Sequence, residues 1–161
     1  MKEDSKDKAL REHVLFLLDG GGAHAKFDEV IAGIPPKLLG QKPSGLPHSL
    51  WMLLEHLRTA QWDILEFSRN AKHASPKWPE GYWPPTEAPP RAADWNASVK
   101  KVRHDLKAMQ ALVKDPKTDL FAKISWGDGQ TVLREALLLA DHNAYHLGQM
   151  LDVRRLLRAW K

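Results

Sequence analysis

The chain has no cysteine among its 161 residues. That excludes a disulfide framework and any thiolate as nucleophile or metal ligand, and it fits a reducing compartment, so the cytoplasm is the expected location. No apolar run approaches the ~20 residues that a membrane span needs, so no membrane partner is expected. The opening Met1-Lys2-Glu3-Asp4-Ser5-Lys6-Asp7-Lys8 is charged with mixed sign and lacks the apolar core of a secretory signal. Clustered basic stripes are missing too. The net charge of +4 is spread along the chain, which argues against a nucleic-acid face. Internal repeats and convincing strand patterns are absent. What remains, 43% hydrophobic and 27% charged residues, fits one globular domain over 1–161 with a sizeable core.

The patterning that is present is helical. Leu10, Val14, Leu17 and Leu18 recur at helical spacing and predict a helix from Ser5 to Leu18. Gly20-Gly21-Gly22 breaks it, and Ala23 to Ile31 resumes a helical pattern. The triple glycine has no preceding strand and no following Gly-Lys-Ser/Thr, so it is not a phosphate-cradling loop. After a Pro-rich connection, Ser49 is the expected N-cap of a second helix running from His48 or Ser49 to Phe67, with Leu50, Leu53, Leu54, Leu57, Ile64 and Leu65 as its core stripe. A long segment from Ser75 through Pro90 holds dense prolines with Trp78, Tyr82 and Trp83. It reads as a loop packed over one end of the fold, with a lid over a pocket as the functional alternative. A third helix is expected from Asp94, as N-cap, to Lys114, with Trp95, Val99, Val102, Leu106, Met109 and Val113 inward. Residues 118–130 read as an irregular connector, with a short extended piece or a turn around 124–129. The last helix spans Thr131 to Ala159. One apolar stripe on it comprises Leu133, Leu137, Ala140, Ala144, Leu147 and Leu151; another comprises Leu139, His142, His146, Gln149 and Val153. Four main helices without strands predict an all-α four-helix bundle.

His142 and His146 stand four residues apart, one above the other on a helix, so two imidazoles can reach one ion. Spacing alone is weak. Eight histidines give roughly 0.4 chance pairs at any one spacing, and two hydrogen-bonded helix histidines are the plain alternative. His56 lies mid-way along the second helix, where a lone histidine is more often a hydrogen-bonded core residue.

Two stretches, Trp51-Met52-Leu53-Leu54-Glu55-His56-Leu57 and Asp141-His142-Asn143-Ala144-Tyr145-His146-Leu147-Gly148-Gln149, together resemble the DinB-like (DinB/YfiT) metalloprotein superfamily. The segment Trp78-Pro79-Glu80-Gly81-Tyr82-Trp83-Pro84 is similar to one subgroup of it. The resemblance covers most of the chain. It implies a four-helix bundle holding zinc or nickel on three histidines, which carried over are His56, His142 and His146. The family includes members linked to low-molecular-weight thiol transfer and others that resemble amidohydrolase-like enzymes, so the resemblance does not choose an activity.

Three imidazoles leave an ion's charge intact and one coordination position open, the layout of catalytic sites. Asp63, seven residues after His56, is the expected outer partner or general base; Glu55 and Asp141 point about 100° away from their neighbouring histidines. Gln149, one turn beyond His146, is placed to bond a metal water. His48, about 12 Å along the axis from His56, is too far to share the ion and is expected at the mouth of the pocket. His24, just after the glycines, is a candidate for its rim; His13, His73 and His104 read as background. The expected function is thus a metal-dependent hydrolase or thiol transferase, the alternative a non-catalytic metal-binding sensor or stress-response protein. A small-molecule substrate is the expected partner, with a homodimer admitted as the assembly.

Overall fold

The computed structural model describes residues 2–160, so Met1 of the charged N-terminal run lies outside the described residues. It is all-helical: α1 (Lys2–Leu18), a short α2 (Phe27–Ile31), α3 (Leu50–Arg69), α4 (Ala92–Lys114) and α5 (Val132–Leu156). α1 and α3 each pack against both α4 and α5, placing α1 and α3 on diagonal corners of a four-helix arrangement, with α2 laid against α5.

The breaks follow from local chemistry. Gly20 and Gly21 take φ of +96° and +57°, a region costly for side-chain-bearing residues, and α1 ends before them. The helical pattern expected from Ala23 is realised only from Phe27, because four further residues are spent in the turn that reverses the chain. Ser49 caps α3, its Oγ accepting from the Met52 N–H at 3.2 Å, and Thr131 caps α5 in the same way through the Arg134 N–H. Asp94 is not a cap. Arg91 occupies the N-cap position of α4, and Asp94 sits in the first turn, where its carboxylate complements the helix dipole and accepts from the Arg91 guanidinium. The connector before α5 makes one bridge, Lys123 to Thr131.

Two large apolar clusters fill the interior, with a smaller third formed by Leu120, Ile124 and Val132. One joins the first half of α3 (Leu50, Leu53, Leu54, Leu57) and of α4 (Trp95, Val99, Val102) to the second half of α5 (Leu147, Met150, Val153). The other joins Val14 and Leu18 of α1 to Leu65, Met109, Val113, Ala136 and Leu139. α3 and α4 therefore run parallel, and α5 runs antiparallel to both. Leu137, placed on an apolar stripe, is 42% exposed, whereas Leu139, about 200° round the helix, is fully buried.

Parallel neighbours cannot be joined by a short turn. A 20-residue helix is about 30 Å long, and the chain must return along that length before α4 begins. Residues 70–91 make this return. They run back along α3, meeting Asp63 through His73 and Tyr82, His56 through Tyr82, and Ser49 through Glu87. The segment is thus neither a cap over one end nor a detached lid; it forms a wall along α3.

Candidate metal centre

Between the two apolar clusters lies a polar layer. Gln61, fully buried on α3, donates from Nε2 to the Val102 carbonyl of α4 at 2.7 Å and accepts at Oε1 from Asn143 Nδ2 of α5 at 2.9 Å. This hydrogen-bonded hub joins three helices, and a lone glutamine in a leucine-rich helix gave no signal of it. His56, His142 and His146 lie in the same layer.

The register between α3 and α5 brings the three imidazoles together. Each offers a ring nitrogen, and these atoms all lie within 4.8 Å of one another. His142 Nε2 is 3.2 Å from His56 Nε2, and the three ring centroids are 4.4–5.1 Å apart. Metal–nitrogen bonds of 2.0–2.1 Å in a tetrahedron separate adjacent ligand atoms by about 3.3 Å, so the observed spacing suits a shared ion. His56 and His146 are 4% and 7% exposed, which keeps two of the rings out of water.

Hydrogen bonds set the direction of two rings. His56 Nδ1–H donates to the Tyr82 carbonyl at 3.1 Å, and His146 Nδ1–H donates to Gln149 Oε1 at 2.7 Å. Each leaves an Nε2 lone pair turned towards the centre, the tautomer a metal requires. His142 differs: its Nδ1 is buried without a well-aligned hydrogen bond, the side chain of Asn143 beside it acting on the ring instead. All three rings are held neutral. Burial, reinforced by the neighbouring histidines, depresses the His142 pKa to about 3 and that of His146 to about 4, and burial lowers His56 as well. Three neutral imidazoles facing inward form a donor set ready for a divalent ion of the zinc type.

Aromatic rings enclose the centre. Trp83 is inserted between His48 and His56, stacked on the first at 4.1 Å and on the second at 4.0 Å with an interplanar angle of 8°. Tyr145 stands edge-on to His146 at 5.0 Å. His48 thus sits at the margin of the site, one ring away from His56. Together with Gln149, Leu46, Leu53 and Val153, it lines a cavity of about 60 Å³. A much larger cleft, about 690 Å³, lies between α1 and residues 116–121 and includes none of the three histidines.

Several expected roles need revision. Asp63 does not stand among the three ring nitrogens: Oδ1 accepts from His73 Nε2 at 2.7 Å and Oδ2 from the Tyr82 hydroxyl at 2.6 Å. Both of its oxygens are therefore committed away from the centre, and Tyr82 is pushed up to about 12 by burial and by Asp63. His73, read as background, is instead packed edge-on against Trp62 and paired with Asp63. Gln149 lies in the pocket lining as expected, its Oε1 engaged by the His146 ring. His24 is exposed, bonds the Ala25 carbonyl and rims a separate shallow cleft with Leu17, Phe27 and Ala144.

No curated protein and no solved structure matches the chain. The model of one family, described as the DinB superfamily, matches residues 22–150, a span running from ahead of α2 into α5 and containing all three histidines. With that match over most of its length, and with an all-helical fold and a three-histidine cluster where α3 faces α5, the chain belongs to the DinB superfamily.

Proposed function

We propose that His56, His142 and His146 hold one divalent metal ion through Nε2 and that the position they leave open binds and activates a small substrate. The observation that carries this reading is the convergence of three neutral ring nitrogens at ligand spacing, with Nδ1 of two of them already bonded outward. A bound ion supplies a Lewis acid that lowers the pKa of the water or thiol occupying its open position. The chain's residues do the rest. Tyr82 and Gln149 aim two ligands, and Trp83 and the apolar flank of α3 keep bulk water from the rings.

Of the two reactions, transfer from a low-molecular-weight thiol is favoured over hydrolysis. Hydrolysis needs a base within reach of the attacking water, and both Asp63 oxygens are taken by Tyr82 and His73. An ion held by the three histidines would lower the pKa of a bound thiol enough for its proton to pass to solvent without such a base, supplying a thiolate that forms the bond to an electrophilic carbon as the leaving group departs. A second reading, binding without turnover, draws support from the adjoining cavity: about 60 Å³ is far below the roughly 300–1,000 Å³ of ordinary ligand pockets. The test is metal analysis of untagged protein, followed by assays of the zinc- and nickel-loaded forms with thiol–electrophile pairs and with esters and amides. Stoichiometric metal with thiol transfer supports the proposal. Metal without turnover of any pair selects the binder, and absence of metal affinity refutes both.

A further inference from the structure

The long connection between α3 and α4 touches the centre at two adjacent residues, Tyr82 and Trp83, and Asp63 holds the first of them. We infer that Asp63, Tyr82 and His73 form a clamp that positions His56, acting through the Tyr82 backbone carbonyl; the inference rests on the reading of His56 as a metal ligand. Asp63 lies two turns beyond His56 on the same face of α3. Its two oxygens accept from two points of the returning chain, His73 Nε2 at 2.7 Å and the Tyr82 hydroxyl at 2.6 Å. Tyr82 then makes two contacts with α3: its hydroxyl bonds Asp63, and its carbonyl accepts from His56 Nδ1 at 3.1 Å. The first contact sets where the second falls.

The next residue restrains the same ring from its face. Trp83 stacks on His56 at 4.0 Å, so the imidazole is held at one edge by a hydrogen bond and over its plane by an indole. The turn leading to Tyr82 is closed tightly: a Cβ at Gly81 would lie 2.7 Å from Pro76 Cβ, so little slack exists between His73 and Tyr82. Release of the clamp removes the only acceptor of the His56 Nδ1–H among the described residues. The ring is then free to exchange tautomers and to place its lone pair on Nδ1, away from the other two ligands. Asp63 is in this account a positioning residue. It acts on the metal centre through Tyr82 and does not touch the reacting atoms.

Tyr82→Phe removes one oxygen and leaves the ring; Asp63→Asn keeps the volume but cannot accept from both donors. Two readouts are needed. Nitrogen-15 spectra of the metal-free proteins report the His56 tautomer, and competition of cobalt(II) against a chelator reports affinity. Wild type is expected to show the Nδ1–H form of His56. Both variants are expected to show a mixture of tautomers and about tenfold or more weaker cobalt binding, the size of effect that loss of an outer hydrogen-bond partner has at metal sites. A cluster that merely fastens the loop would lower the melting temperature and move neither readout. Folded variants with the wild-type tautomer and affinity within twofold overturn the inference, as does loss of the fold in both variants, which would make the cluster structural. If wild type itself binds no cobalt, the metal reading fails, while the tautomer comparison still decides whether the clamp sets the ring.

Discussion

Removing His142 separates the metal from the fold. The two apolar clusters lie on either side of the histidine layer and include none of the three rings, so the metal-free protein should fold on its own. An ion that binds only the native state adds RT ln(1 + [L]/Kd), about 2.7 kcal/mol at a free concentration of 100 Kd. For chains of this length each kcal/mol is worth roughly 2–4 °C, so zinc at that level should raise the melting temperature by about 5–11 °C. His142→Ala leaves two ligands. A hundredfold loss of affinity brings the same zinc to about one Kd, worth about 0.4 kcal/mol and a shift of roughly 1 °C. Without metal the variant should lose about 1–3 kcal/mol, the cost of truncating a partly buried ring that contacts His56 and His146, and should still fold. The assay is thermal melting followed by circular dichroism, with and without zinc at fixed free concentration. Equal zinc shifts in wild type and variant would refute the assignment of His142. An unfolded metal-free wild type would refute the division between core and site.

Other outcomes follow from the same geometry. In the metal-free protein His142 and His146 have folded-state pKa values of about 3 and 4, below the roughly 6.5 of an unfolded histidine. Their contribution to stability is complete above pH 6.5 and is lost as pH falls towards 4, so melting temperature should decline over that window, and His142→Ala should flatten the decline. Gln61→Leu strips Asn143 Nδ2 of its acceptor inside the core and should destabilise by about 1–3 kcal/mol in urea unfolding. Leu137→Glu, at a position 42% exposed, should change stability by no more than about 0.5 kcal/mol in the same measurement; a loss of several kcal/mol would place Leu137 in the core after all.

Legibility in the sequence followed the range of the interactions. The α3 stripe was readable because Leu50, Leu53, Leu54, Leu57 and Leu65 all face the core, and the caps Ser49 and Thr131 act within three residues of themselves. α5 was harder. It carries apolar residues on several sides, and which side stays wet, here the one bearing Leu137, is set by the packing of other helices. His142 and His146 were linked by helical spacing, whereas His56 joined them only through resemblance, because the register between α3 and α5 is written in neither helix alone. The pairing of Asp63 with His73 and Tyr82 was out of reach for a further reason. It depends on the course of residues 70–91, and that course follows from α4 running parallel to α3, a fact of topology with no local signature.

That topology bears on how each ligand is oriented. Neither His56 nor His146 bonds its outer N–H to the backbone of its own helix, whose interior carbonyls already accept from the N–H four residues on. The acceptor comes here from a side chain nearby or from chain that is not helical. His146 uses the first solution, with Gln149 one turn along α5. His56 uses the second, and the parallel arrangement of α3 and α4 is what supplies it, because the returning segment brings an unpaired carbonyl, that of Tyr82, alongside α3. His142 has only the side chain of the next residue, Asn143, beside a buried Nδ1 that makes no well-aligned bond. Burial and its histidine neighbours push its pKa down to about 3, and its orientation depends on packing and on the partners at Nε2. The site is therefore built unevenly: two ligands are aimed in advance, and the third is the one that an incoming ion has most to organise.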